Sequence, residues 1–314
     1  MAHDSIEAHL PRWSNAWQDR LRPALAWQPG RFSGLEEWRR EARQRLEELA
    51  SVPDTADVPL DVQVEEVVDR GTYVRRKVSF ADELARRGYA VLAADGFFWG
   101  ERRVAGAEDR SGGRVPTTVE ETRRGNQFLY EQQAMVSMNL MQLGLTWQGI
   151  LINDDRRAAE VLASLPEVDG RRIACCGLSV GCYRSWTLAA LSDRIRACVG
   201  ICWMATQESL MRQPNNQNRS QSAYSMLIPG MRRWLEIPDV ASLVCPRGLL
   251  LYAGRQDELF PEHGTEAAFA RIRSVYQDHG CPESFVGQWW DRPHCFDRQM
   301  QDAAFDWLGR ALQQ

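Results

Sequence analysis

The stretch Gly177-Leu178-Ser179-Val180-Gly181 decides how this chain is read. Behind it lies Arg172-Ile173-Ala174-Cys175-Cys176, apolar and β-prone; ahead of it, residues 182–191 have the composition of a helix. Strand, sharp turn and helix follow one another, with a serine at the apex between two glycines. Such an apex has strained backbone angles, and small neighbours let the strand and helix ends close on one another. The geometry pushes the Ser179 hydroxyl out at the strand's carboxyl end and aims the Val180 N–H at whatever that hydroxyl attacks. The ordinary alternative for a serine in a tight turn is a cap on the helix that follows.

Working outward, the runs 195–203, 248–253 and 284–290 read as further strands, with helices over 262–279 and 299–312. Upstream, Asn153 reads as the cap of a helix over 154–165, preceded by a helical region at 127–143 and an irregular excursion at 100–126. Tyr89-Ala90-Val91-Leu92-Ala93-Ala94-Asp95 has the make-up of a strand, after a short helix at 81–87. Runs 62–68 and 72–80 read as a hairpin. The first helix spans 34–50: Ser33 and Glu36 form a capping-box pattern, and Leu35, Trp38, Ala42, Leu46 and Leu49 recur at helical spacing. Strands alternating with helices predict an α/β fold, a mostly parallel sheet covered on both faces. The expected organisation is an N-terminal helical extension, 1–58, and a main domain, 59–314, with a lid-like insertion at 207–238.

Composition narrows the class. Of 314 residues, 44% are apolar and 25% charged, enough to bury a real core, and the net charge of -4 argues against nucleic acid or anionic membrane as partner. No apolar run approaches the roughly 18 residues of a membrane span. The opening Met1-Ala2-His3-Asp4-Ser5 lacks the basic and apolar regions of a secretory signal. The eight cysteines show no C-x-x-C spacing and sit mostly in apolar runs, which suits buried free thiols in a reducing cytoplasm. The expectation is a cytoplasmic protein with no cofactor or metal, acting on a small molecule, its oligomeric state open.

A serine hydroxyl is a poor nucleophile until an oriented base takes its proton. On a parallel sheet its partners come from the carboxyl ends of later strands. The run Leu249–Ala253 ends in Gly254-Arg255-Gln256-Asp257-Glu258, and Phe285–Trp290 ends in Asp291-Arg292-Pro293-His294. Asp257 is therefore the candidate orienting acid and His294 the candidate base, in the chain order Ser, Asp, His. Glu258 and Asp297 rival the acid; His263 and His279 rival the base, although His279 stands where a helix C-cap is expected. Phe97, Trp99 and Trp203, at expected strand ends, are candidate pocket walls, with plain core packing as the alternative.

These residues resemble the α/β-hydrolase superfamily, and within it the dienelactone-hydrolase-like and acetyl-xylan-esterase-like serine hydrolases. The likeness rests on residues 88–95 with Trp99-Gly100-Glu101-Arg102, on Gly177–Gly181, on Asp257-Glu258-Leu259-Phe260-Pro261 and on Pro293-His294-Cys295-Phe296. It implies hydrolysis of a carboxylic ester through an acyl-enzyme, with Ser179 as nucleophile, Asp257 as acid, His294 as base and the Val180 N–H as one oxyanion donor. A peptidase or amidase of the same fold, and a non-catalytic scaffold, stand as alternatives. One departure is plain. In that superfamily a strand ending in a His-Gly-rich loop precedes the strand expected at 89–95 and supplies the second oxyanion N–H. Here residues 76–80 run directly into residues 81–88, and the strand is absent. Three readings follow: an internally deleted chain, a sheet closed up with an N–H near Gly96 or Phe97 substituting, or a non-catalytic relative.

Overall fold

The computed structural model describes residues 15–60, 81–99, 102, 118–212 and 221–313. The expected hairpin at 62–80 lies outside them. Four strands, β1 (Ile173–Leu178), β2 (Ile195–Ile201), β3 (Gly248–Gly254) and β4 (Phe285–Trp290), form one parallel sheet in the order β1-β2-β3-β4. The order repeats the chain order, so each crossover steps the same way. Right-handed crossovers that all step one way fall on one face of the sheet.

That face carries most of the helices. α1 (Leu35–Ala50), α4 (Trp147–Ser164), α5 (Val180–Leu191), α7 (Ile237–Ser242) and α8 (Glu262–Asp278) all place side chains in one core with Ile173, Cys198, Leu249, Leu251 and Phe285. The alternate strand residues Ala197, Val199, Ile201, Leu250 and Tyr252 form a second core beneath α9 (Arg298–Ala311) and Leu84 of α2 (Ala81–Arg86). Side chains alternate across a strand, so a strand buried on both faces reads as an unbroken apolar run.

Two further helices are α3 (Val119–Gln142) and the short α6 (Gln207–Met211). The segment expected as a lid is tied into the main core by Leu210, Ile228, Met231 and Leu235, all buried. The N-terminal helix joins the same core through Trp38, Ala42 and Leu46, which are fully covered. Arg39 and Arg43 of α1 both hydrogen-bond the Asp193 carboxylate, and Arg43 also donates to the Ala190 carbonyl at 2.6 Å. Arg247 donates to the carbonyls of Ala189, Ser192 and Ile195 beside them. These guanidiniums satisfy carbonyls that a helix end leaves without partners.

Four local expectations are corrected. Ser33 and Glu36 form no capping box; α1 is capped at Gly34, and the Glu37 carboxylate accepts from the Ser33 N–H at 2.6 Å. Asn153 caps nothing: α4 begins earlier, at Thr146, whose hydroxyl accepts from Gly149 N–H at 2.9 Å, and Asn153 Oδ1 accepts instead from Thr55. Part of the expected excursion at 100–126 is helix, since α3 starts behind a capping box of Thr118 and Glu121. Residues 89–95 are not a strand; Ala90–Asp95 are exposed, and none of the four described strands includes or pairs with Ala90–Ala94. The sheet has therefore not closed up onto that segment, and β1 stands at its edge among the described residues.

Candidate active site

Leu178, Ile201, Tyr252 and Gln288 lie in register across the four strands, and the functional side chains follow just beyond that row. Ser179 is the first residue past β1. It holds φ 57° and ψ -122°, a left-handed backbone that a side chain adopts only under constraint. Its N–H donates to the Ile201 carbonyl at 2.8 Å, and its hydroxyl makes no capping bond to α5. The capping alternative is thereby excluded. Gly177 makes the turn sterically feasible, because a Cβ there would collide with the backbone of Gly181; nothing crowds a Cβ at Gly181 itself. Val180 opens α5, so its N–H is one of the unpaired donors of a helix N-terminus, next to the serine.

The loops after β3 and β4 run side by side. Arg255 N–H donates to Trp290 O at 2.8 Å and Gln256 N–H to Arg292 O at 3.0 Å. Gly254 permits this approach, since a methyl there would run into the Arg292 carbonyl oxygen. The pairing brings Asp257 Oδ2 and His294 Nδ1 to 2.7 Å. The other Asp257 oxygen accepts from Leu259 N–H at 3.0 Å, so the carboxylate is held at both ends. Asp257 is buried while the His294 side chain keeps a quarter of its surface. With Nδ1 engaged, Nε2 is the ring nitrogen left for proton transfer.

The rivals are placed elsewhere. Asp297 caps α9 and pairs with Arg292 at 2.7 Å. His279 ends α8 and packs against Trp27 at 4.5 Å between ring centroids. Glu258 and His263 are exposed.

Cys202 is a member of the site that the sequence reading missed. It is the first residue past β2, as Ser179 is past β1, and it too has a positive φ, 55°. Its sulfur reaches the Cys295 carbonyl at 3.6 Å, which shows that the loop bearing His294 reaches across β3 to the end of β2. Ligand atoms of Cys202, Asp257 and His294 lie within 4.8 Å of one another. Burial, followed by the nearby Asp257 charge, pushes the thiol up to about 12, so it stays protonated at neutral pH. Only the register across the sheet could have flagged it.

Of the pocket-wall candidates, Trp203 is buried against Tyr183 and Trp186 and meets Phe260 edge-on at 5.4 Å. Phe260 stacks on His294, with centroids 6.3 Å apart, so Trp203 backs the ring that flanks the imidazole. Phe97 and Trp99 belong to a separate cluster, Phe97 on Trp147 and Trp99 on Tyr130. They pack against α3 and α4.

Comparison with known proteins agrees with this fold. Residues 81–292 match the model of the Abhydrolase family. A Bacillus subtilis protein named "Putative hydrolase YtaP" is 26% identical over 220 residues, which cover 70% of this chain and 64% of the relative's length. A Bacteroides fragilis structure described as a "putative acetyl xylan esterase" superposes with a TM-score of 0.70 at 15% identity, covering 100% of this chain and 97% of its own. A structure named "Methylesterase BT1017" gives 0.51 at 16% identity, over 88% of this chain and 62% of its own. No described helix is long and apolar enough to cross a membrane.

Proposed function

This chain belongs to the Abhydrolase family, and from that premise we propose that it is a serine hydrolase of carboxylic esters. The observation that carries the reading is the Asp257–His294 hydrogen bond of 2.7 Å on the same sheet rim as a strained, uncapped Ser179. His294 Nε2 takes the Ser179 proton as Oγ attacks the ester carbonyl. The Val180 N–H stabilises the developing oxyanion, a contribution of about 10²–10³ in rate per donor. The alcohol leaves with the proton from His294, and water, activated by the same imidazole, releases the acid from the acyl-serine. Asp257 fixes the ring's tautomer and stabilises the imidazolium. Acetylated carbohydrates are the first substrates to try, because a structural neighbour is named for that activity.

The test is labelling with a fluorophosphonate probe, with p-nitrophenyl acetate turnover beside it. Labelling at Ser179 that is lost in Ser179→Ala, together with ester turnover, supports the proposal. Folded protein that neither labels nor turns over any ester in a panel of acetyl, butyryl and methyl esters overturns it and favours a scaffold. Preferential cleavage of aminoacyl anilides would replace esterase by amidase.

A further inference from the structure

Cys245 and Cys281 are both free thiols, and their sulfurs lie 3.7 Å apart. They stand 36 residues apart in the chain and meet because of the way two strands are entered. Cys245 lies between α7 and β3, and Cys281 between α8 and β4. β3 and β4 are parallel neighbours, with Leu249 opposite Phe285 where the pairing begins. The two loops that feed them therefore run side by side at the amino end of the sheet. Each is tied down by its own backbone: Cys245 N–H donates to the Ser242 carbonyl and Cys281 N–H to the Tyr276 carbonyl, both at 3.0 Å. The Tyr276 hydroxyl crosses from one loop to the other, donating to the Arg247 carbonyl at 2.9 Å. The approach of the two sulfurs is thus set by the fold.

A disulfide holds its sulfurs at about 2.05 Å. Closing from 3.7 Å asks each sulfur to move by about 0.8 Å, a turn of roughly 30° at each χ1. One loop has room for this: Gly280, next to Cys281, has φ 70° and nothing within 4 Å of where its Cβ would stand. Access is one-sided. Cys245 is fully buried, while Cys281 is half-buried. The thiol that solvent reaches is therefore backed by one that solvent does not.

We propose that Cys245 and Cys281 form a modification site, at which hydrogen peroxide joins the two loops by an intramolecular disulfide. The Cys281 thiolate attacks one peroxide oxygen; the O–O bond breaks, leaving a sulfenic acid, and the departing hydroxide takes up the thiol's proton to become water. The Cys245 sulfur then attacks the sulfenic sulfur; the S–O bond breaks, and the hydroxyl leaves with the Cys245 proton as a second water. Two thiols and one peroxide give one disulfide and two waters, the sulfurs losing two electrons and the peroxide gaining them. Burial pushes both thiols up, and at Cys281 the hydrogen bond from Cys245 works against it. The reaction is accordingly slow at neutral pH. Its product crosslinks the entrances of β3 and β4. The Asp257–His294 pair follows the other ends of the same strands, about 20 Å away along the seven residues of β3. The bond therefore acts on stability and leaves the candidate active site alone, and the inference does not depend on the hydrolytic reading.

The experiment treats the full chain with millimolar hydrogen peroxide at pH 8, then blocks the remaining thiols with N-ethylmaleimide in denaturant. The expected result is that two of the eight thiols become unreactive. The tryptic peptide 234–247 is then found joined through Cys281 to the peptide that begins at Ser274. The melting temperature rises by about 4–10 °C, because the crosslink restricts the unfolded chain, and returns with dithiothreitol. Cys281→Ser, at a half-buried position that tolerates the hydroxyl, should lose both the link and the rise. In Cys245→Ala the sulfenic acid at Cys281 should persist and be trapped by dimedone. A folded chain that peroxide leaves with all its thiols reactive would overturn the proposal. So would Cys281 passing on to the sulfinic acid with Cys245 still free, or a disulfide that joins Cys281 to a second chain instead. An internal Cys245–Cys281 bond that leaves the melting temperature unchanged, or lowers it, would overturn it too.

Discussion

Gly254→Ala isolates the contact that builds the Asp257–His294 pair. Gly254 is not among the positive-φ residues, so alanine fits its backbone and the perturbation is steric alone. The added Cβ would run into the Arg292 carbonyl oxygen and lie 3.0 Å from that of Pro293. Both atoms are backbone, so no side chain can rotate aside. Restoring ordinary van der Waals separation requires the loop after β4 to withdraw by about 1 Å. That withdrawal stretches the bonds from Gln256 N–H to Arg292 O, 3.0 Å, and from Arg255 N–H to Trp290 O, 2.8 Å. Overpacking of this kind costs about 1–3 kcal/mol, a fall in Tm of roughly 2–10 °C for a chain of this size. His294 rides on the displaced loop, and a misplacement of about 1 Å costs on the order of 10² in rate. The assay measures kcat and KM for p-nitrophenyl acetate beside a thermal melt, with Gly34→Ala, where nothing lies within 4 Å of the new Cβ, as control. The loss should fall on kcat. A Gly254→Ala variant with full kcat would refute the argument that this close approach positions the base.

Asp257→Asn should keep the bond from Leu259 N–H, 3.0 Å in the parent, and so the local fold, while removing the carboxylate from His294. The expected loss is on the order of 10⁴ in kcat with little change in Tm, read from steady-state kinetics and circular dichroism. Asp193→Asn removes the carboxylate shared by Arg39 and Arg43 and close to Arg247. The Arg43 hydrogen bonds hold the Asp193 carboxyl well below the usual carboxylate range, so the unfolded chain takes up this proton first and stability falls with acidification. The contribution is complete above about pH 4, near the ordinary value of 3.8, and fades below it. The side chain is 66% exposed, and solvent screening limits the loss at neutral pH to about 1 kcal/mol. Urea unfolding at pH 7 and pH 2.5 checks this: the gap between parent and variant should narrow at the lower pH.

Much of the fold was legible because β2 and β3, in the middle of the sheet, are buried at nearly every position and so are written as almost unbroken apolar runs, and β1 and β4 keep enough of that character to be read beside them. The catalytic candidates followed from those ends, since a parallel sheet gathers the residues after its strands at one rim. The errors have separate causes. Residues 89–95 have the composition of a strand, but a strand exists only by pairing, and no described strand pairs with this one. α4 was entered late because its first turns, with Trp147, Leu151 and Ile152 all buried, show no polar face to reveal a helical period. The start of α3 hid in charged sequence, where only Thr118 and Glu121, three apart, marked the capping box. Cys202 was hidden for another reason. It belongs to no motif, and what makes it part of the site is its place in register beside Ser179.

That register also explains how the site is assembled. Asp257, His294 and Cys202 all come from the ends of β2, β3 and β4, the side on which β1 is paired. Their geometry is fixed by bonds within that half: the two loop-to-loop hydrogen bonds, the carboxylate–imidazole bond and the thiol contact with Cys295. Ser179 stands on the boundary. Its turn is locked on the side of β2 by the bond to Ile201 and from behind by the Gly177–Gly181 approach. The positions of Ser179, Asp257 and His294 therefore follow from contacts among β1 to β4 and the turns and loops that end them, which is why Gly254 and Gly177, the two residues at which those backbones approach most closely, carry the arrangement.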